Sequence, residues 1–159
     1  IFCRKVYKYG ILFQFMKLDE KDMKILNDLK EHADLTTSQI SKKTRIAITT
    51  VHNRIRKMKQ DSVIKNYTVN LNYEKLGKSL KAFVLIVVEQ KRMSQSEMGK
   101  KIKAIEGVES VDIVTGMTDI IAQVRAENIQ AMNNLITEKI RRVEGVDKTQ
   151  TLMVLEEIK

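Results

Sequence analysis

Between Ile48 and Asp61 the chain reads ITTVHNRIRKMKQD. At 3.6 residues per turn Val51, Ile55 and Met58 share one helix face, while Thr49, His52, Asn53, Arg56 and Gln60 share the opposite one, with Thr50 and Lys57 at its margin. Hydroxyls, an amide, an imidazole and a guanidinium on one face are the groups that reach base edges and phosphates in a DNA major groove. Guanidinium suits guanine and a carboxamide suits adenine, so Arg56 and Asn53 are the first candidates for base contact. His52 either reads a base or faces solvent. A solvated surface helix shows a similar face, so the surrounding elements must decide between the two readings.

A recognition helix needs a frame, and the preceding residues supply one. Asp19 has the right position to cap a helix running to about Glu31, its carboxylate accepting from the amide near Asp22, with Leu18 and Met23 at hydrophobic-staple spacing. Ile25, Leu26 and Leu29 continue the apolar face. Thr37 or Ser38 caps a second, short helix, SQISKKT, anchored by Ile40, with Lys42 and Lys43 pointing outward. Arg45 to Ala47 form a tight turn into the third helix. Two short helices joined this way make a helix-turn-helix unit, whose second member enters the groove while the first crosses the backbone. Phosphate contacts are therefore expected from Thr37, Ser38, Lys42, Lys43, Arg45, Arg54 and Lys57, of which Arg54 lies nearest the core edge. Val63-Ile64 and Tyr67-Thr68-Val69 read as short strands of a wing or hinge.

Charge supports this frame. The 159 residues carry a net +9, and the excess is uneven. Residues 16–79 hold 14 Lys/Arg against 8 Asp/Glu, residues 80–159 hold 12 of each, and Arg4, Lys5 and Lys8 supply the rest. A polyanion partner for the first half alone follows from that asymmetry. The single cysteine, Cys3, excludes an intrachain disulfide and is compatible with a reducing compartment. No Cys/His cluster suggests zinc, no cofactor motif is evident, and no apolar run approaches the ~20 residues of a membrane span, so a cytoplasmic location is expected. Residues 1–15 carry no assigned role. Val6, Ile11, Phe13 and Phe15 have the alternation of a strand, and Met16-Lys17-Leu18-Asp19 looks like a natural start.

After the polar stretch NLNYEKLGKS, residues 70–79, the pattern changes. Ala82 to Val88, AFVLIVV, is a solid β-branched run expected to be buried on both faces. A helix follows, capped by Ser94 or Ser96, then Glu106-Gly107-Val108, a strand over 110–114, a turn over 115–119 and a strand over 120–124. A helix over 128–142, Glu144-Gly145-Val146 and a strand over 149–155 complete the chain. Glu-Gly-Val recurs 38 residues on, so each half is strand, helix, Glu-Gly-Val, strand. Two such halves make a ferredoxin-like βαββαβ unit with its first and third strands central. The fold class is α+β. Both helices pack on one sheet face, and the apolar central strands require a cover for the other, for which a second copy is expected.

These motifs in this order resemble the Lrp/AsnC (leucine-responsive, feast–famine) family. The resemblance rests on LDEKDMKIL, SQISKKTRIAITTVHNRIRKMKQDSVI, YEKLG, AFVLIVV and TGMTDIIAQV, and covers about Lys17 to the end. It implies a bacterial or archaeal transcription regulator that binds double-stranded DNA, dimerises through the second domain, assembles up to octamers and takes a small effector, commonly an amino acid. On this chain the family's recognition positions match Thr49, Thr50, His52, Asn53, Arg54, Arg56 and Lys57. Its effector loop matches Thr115, Gly116, Met117, Thr118 and Asp119, with Met153 and Val154 nearby. The expected organisation is an extension over 1–15, a winged helix-turn-helix domain over 16–65, a hinge over 66–80 and an oligomerisation and effector domain over 81–159. Three departures stand out. Arg45 occupies a turn position that usually carries Gly, Ala47 replaces a polar cap so that Thr49 would cap instead, and Ser62 replaces a common Gly. Two other functions share the layout: a scaffold or ligand-binding protein that no longer reads DNA, and an enzyme resembling siroheme decarboxylases. The neutral second half, without histidine, disfavours the enzyme.

Overall fold

The computed structural model describes residues 6–8, 11–13, 17–89 and 93–158. The chain divides into two compact units, Ile1–Asn70 and Leu71–Lys159. In the first unit, strands β1 (Val6–Lys8) and β2 (Ile11–Phe13) pair with each other as an antiparallel ribbon. Phe15 lies outside the described residues.

Three helices follow: α1 (Glu20–Glu31), α2 (Thr37–Thr44) and α3 (Ile48–Gln60). Asp19 caps α1 in a reciprocal box, its Oδ1 accepting from the Asp22 amide at 2.9 Å while Asp22 Oδ2 accepts from the Asp19 amide at 3.0 Å. Of the pair at staple spacing, Leu18 packs on the core and Met23 is exposed. The cap of α2 is Thr36, one residue before the expected position. Gln39 is its N3 partner and completes the box, which neither Thr37 nor Ser38 can do at this spacing. Ile25, Ile40, Val51 and Met58 are fully buried and tie the three helices around one small core. Burying each such side chain contributes roughly 1.5–3 kcal/mol.

Two residues here take the left-handed conformation, Arg45 at φ +58° after α2 and Ser62 at φ +56° after α3. Both stand where glycine was the alternative, and both carry the side-chain strain that glycine would avoid. The strands expected at 63–64 and 67–69 do not form. The amides of Val63 and Ile64 both donate to the Met58 carbonyl, which turns the chain back on α3 instead of along a sheet.

The second unit is a four-stranded antiparallel sheet, β3 (Leu80–Val88), β4 (Val108–Ile113), β5 (Ile120–Ala126) and β6 (Val146–Met153), in the order β4-β5-β3-β6. The first and third strands of the unit are central, as the βαββαβ pattern predicts. Ser94 caps α4 (Gln95–Lys103), its Oγ accepting from the Glu97 amide. Asn128 caps α5 (Ile129–Asn134), which loosens into a π-helical turn over Leu135–Ile140. Ile129 is exposed on the first turn, while Met132, Leu135, Ile136 and Ile140 are buried.

The Glu-Gly-Val repeat is structural. Gly107 and Gly145 have φ of +93° and +90°, and their carbonyls accept from Arg125 and Glu89 at 2.8 Å each. A Cβ at Gly145 would lie 2.5 Å from the Met98 methyl, and one at Gly107 would lie 2.9 Å from Leu135. Each glycine lets a helix end return beneath a strand.

One expectation fails in the single chain. β3 is buried on one face only: Ala82, Val84, Ile86 and Val88 pack under the helices, while Phe83, Leu85 and Val87 are half-exposed on the other side. No helix among the described residues is long and apolar enough to cross a membrane.

Candidate nucleic-acid interface and effector turn

The polar face of α3 is free. Thr49, His52, Asn53, Arg56 and Lys57 are exposed, and Thr50 is half-buried beside them. The helix starts at Ala47 without a side-chain cap, so Thr49 lies inside the first turn and its hydroxyl is not used for capping as expected. Thr37 is half-buried and Ser38 exposed at the start of α2, and Lys42 and Arg45 are exposed at its end.

Two of the predicted phosphate ligands are occupied. Arg54 donates from Nη1 to Asp19 Oδ1 and Asp22 Oδ1, both at 2.7 Å. Asp22 is only 6% exposed. The Asp22 hydrogen bond, then that of Asp19, raises the Arg54 pKa, and the amide of Asp22 followed by Arg54 lowers that of Asp19. This bond pins α3 to the start of α1 and engages the guanidinium expected to contact phosphate. Lys43 Nζ lies 2.6 Å from Asp28 Oδ1, a hydrogen bond that raises the lysine pKa. A phosphate reaching Lys43 would compete with that carboxylate.

The two flanks of α3 therefore differ. Thr50, Asn53, Arg54 and Lys57 face a cleft shared with Lys17, Asp19 and Asp22. His52, Ile55, Arg56 and Lys59 face another, floored by Leu29 and Leu35 and bounded by Thr37 and Tyr67, and no carboxylate lines it among the described residues. The sequence reading gave Lys59 no contact role and placed Tyr67 in a wing strand, although Lys59 falls seven residues after His52 and three after Arg56, on the same flank.

The turn over 115–119 has a built interior and a bare tip. Thr118 Oγ1 donates to the Ile86 carbonyl at 2.8 Å. Asp119 accepts from the Val88 amide through Oδ2 and from Gln95 Nε2 through Oδ1, both at 2.9 Å. Both carboxylate oxygens thus already tie the turn to β3 and α4. Thr115 and Gly116 are exposed, Gly116 with φ +133°, and Met117 is fully exposed. Met153 and Val154 are not near this turn within one chain. Met153 pairs with Ala82 and the Val154 amide donates to the Lys81 carbonyl, whereas the turn sits beyond Ile86. Four residues of strand separate the two ends, ~13 Å. The last strand runs antiparallel to β3, which carries its end away from the loop.

A charged cluster on the half-exposed sheet face was also not foreseen. Arg125, 9% exposed, lies 3.0 Å from both Glu109 and Glu157, and the Tyr73 ring covers its guanidinium at 4.0 Å. Lys81, directly opposite Arg125 in the sheet, also bonds Glu157. Two like charges facing across strands repel, and Glu157 offsets that repulsion. Burial pushes the Glu109 carboxyl up, but hydrogen bonds from Tyr73 and Gln123 and the charge of Arg125 outweigh it and hold it below the usual range. The available signal was Lys81, Glu109 and Arg125, three charged side chains at strand positions.

Comparison with known proteins agrees with this geometry. Residues 18–65 match a family described as winged helix-turn-helix DNA-binding, and residues 81–159 match one described as Lrp/AsnC ligand binding domain. An uncharacterized HTH-type transcriptional regulator of Pyrococcus furiosus is 37% identical over 89% of this chain and 95% of its own length. The HTH-type transcriptional regulator FL11 of the same organism is 34% identical over 87% and 89%. Among solved structures, a transcriptional regulator of Neisseria meningitidis in complex with L-Met superposes with a TM-score of 0.85 at 24% identity, covering 90% of this chain and 93% of that one.

Proposed function

This chain belongs to the Lrp/AsnC family and is a transcription regulator with a helix-turn-helix DNA-binding domain, and we propose that it binds DNA as a homodimer through the exposed face of α3. The observation that carries the proposal is the contrast across that helix. Val51 and Met58 are fully buried beneath it, while Thr49, His52, Asn53 and Arg56 stand exposed above. Arg56 and Asn53 read base edges, with Thr49, Thr50 and His52 beside them. Thr37, Ser38, Lys42, Arg45 and Lys57 hold phosphates, and Lys43 joins them where Asp28 releases it. Two copies of α3 would enter successive major grooves of a pseudo-palindromic site about one turn, ~34 Å, or a multiple apart.

The half-exposed sheet face supports the homodimer, and Met117 with its exposed neighbours supports contact between dimers, up to an octamer. The relative solved with L-Met favours a free amino acid as effector. Thr115 to Met117 would meet it at a seam between copies, and Met153 and Val154 would join only from another copy. The effector would shift assembly by its differential affinity for the assembled and dispersed forms. A regulator acting on cellular DNA is placed in the cytoplasm.

The test is a gel shift on the DNA upstream of the protein's own gene, at low salt, with and without amino acids. Wild-type protein retards that fragment over unrelated DNA, and Arg56→Ala weakens specific binding by ~1–3 kcal/mol and relaxes the preference at one base pair. DNA left free by the wild type would favour the scaffold or enzyme readings. An unchanged footprint in the variant would remove Arg56 from the base-reading set.

A further inference from the structure

The carboxylate-free flank of α3 holds an arrangement that the base-reading face does not need. Lys59 Nζ sits 4.5 Å from the centroid of the Tyr67 ring. Among the described residues Lys59 has no carboxylate partner. An aromatic face attracts an ammonium through its quadrupole, without a lone pair that would take a proton from it. The contact therefore fixes where the charge stands and leaves N–H donors open. Arg54, by contrast, is fixed by two carboxylates that neutralise it. Tyr67 is itself held in place because the chain turns back at Val63 and Ile64 onto the Met58 carbonyl. Tyr67 remains 43% exposed, so a bound group can still pack against it.

Around this pair stand Arg56 and His52 from the same flank of α3 and the Thr37 hydroxyl from the first residue of α2. The floor of Leu29, Leu35 and Ile55 keeps water off one side of any group bound there. The site so formed takes one tetrahedral oxyanion carried on a sugar, with Lys59 as the charge, Thr37 as a neutral donor and Tyr67 as the surface against which the sugar packs.

We infer that Lys59 and Tyr67 form a clamp for a backbone phosphate of double-stranded DNA, flanking the groove that α3 reads. The inference rests on the DNA-binding reading above and adds to it two residues that are not among its base and phosphate contacts. It gives the segment after α3 the role of a wing without strands: the aromatic ring and the lysine do by side chain what a hairpin would do by backbone.

A phosphate clamp carries no sequence information, and that sets the test. Affinities of wild type, Lys59→Gln, Tyr67→Phe and Tyr67→Leu are measured on specific and unrelated duplexes between 50 and 200 mM salt. Lys59→Gln is expected to weaken both duplexes by the same factor and to lower the salt slope by about 1, so that the gap to wild type narrows roughly three-fold across that range. Tyr67→Phe retains the ring and binds as wild type. Tyr67→Leu weakens both duplexes about two- to five-fold with an unchanged slope, since the charge is still present. Wild-type protein that leaves all DNA free overturns the DNA reading and this inference together. Normal wild-type binding with an unaltered slope in Lys59→Gln, or a loss confined to one sequence, overturns the clamp alone.

Discussion

Arg54 shows why a residue's partners matter more than its charge. From the sequence it is one more cation on a basic helix; in the fold it bridges Asp19 and Asp22. Removing it leaves a buried carboxylate unpaired, so Arg54→Met should destabilise the helical unit by about 1.5–3 kcal/mol while leaving the salt slope of DNA binding at its wild-type value. Thermal unfolding and a salt titration of the same variant check both halves. A lower slope with undiminished stability would return Arg54 to the phosphate-binding set. The pairing was not legible because Asp19 and Asp22 lie more than 30 residues away, and side-chain periodicity carries no information across that distance. The strain at Arg45 was foreseen from the resemblance, which puts glycine at that turn position, and Arg45 indeed has positive φ.

Elements were read more reliably than their junctions. The three helices, the repeat and the order of central and edge strands all follow from apolar periodicity and the two Glu-Gly-Val turns. What failed were the junctions, where hydrogen bonds around a helix end decide the path of the chain. Thr36, not its neighbours, finds Gln39, and residues 63–64 fold back on Met58 instead of extending. The cluster at Arg125 was hard to read because it joins three strands, the Tyr73 segment and the chain after β6. It also makes the second unit acid-sensitive. Glu109 and Glu157 have lowered pKa values in the folded state, Glu157 through Lys81 and then Arg125. As pH drops below the ordinary glutamate range, ~4.3, the unfolded chain takes up protons first. The stability these carboxylates contribute is present above that value and is lost as pH falls through their folded pKa values. Melting temperatures between pH 6 and 3 should fall accordingly, and Glu109→Gln should start lower at pH 6 and follow a shallower slope. A parallel curve for the variant would show that Glu109 does not couple folding to protonation.

At the scale of the whole molecule, composition had already separated a cationic first half from a neutral second half, and the boundary between the two units, after Asn70, lies close to that division. What one chain leaves unfinished is the open sheet face. Phe83, Leu85, Val87 and Ile121 lie on it half-exposed, with Leu152 exposed at its edge, and the helices cover only the opposite side. Each of these side chains stands to contribute up to roughly 1.5–3 kcal/mol on full burial, so together they favour pairing strongly. A two-fold interface places every residue against its own counterpart's surroundings, so one substitution acts twice. Leu85→Asp inserts two carboxylates into an apolar seam in the dimer and only one into a half-wet surface in the monomer. It should therefore yield a folded monomer by light scattering, with the circular dichroism of the wild type. Because a dimer gains affinity by engaging two half-sites at once, the monomer should lose far more affinity for a full site than for an isolated half-site. A variant that stays dimeric and binds full sites normally would mean that this face is not where the copies meet.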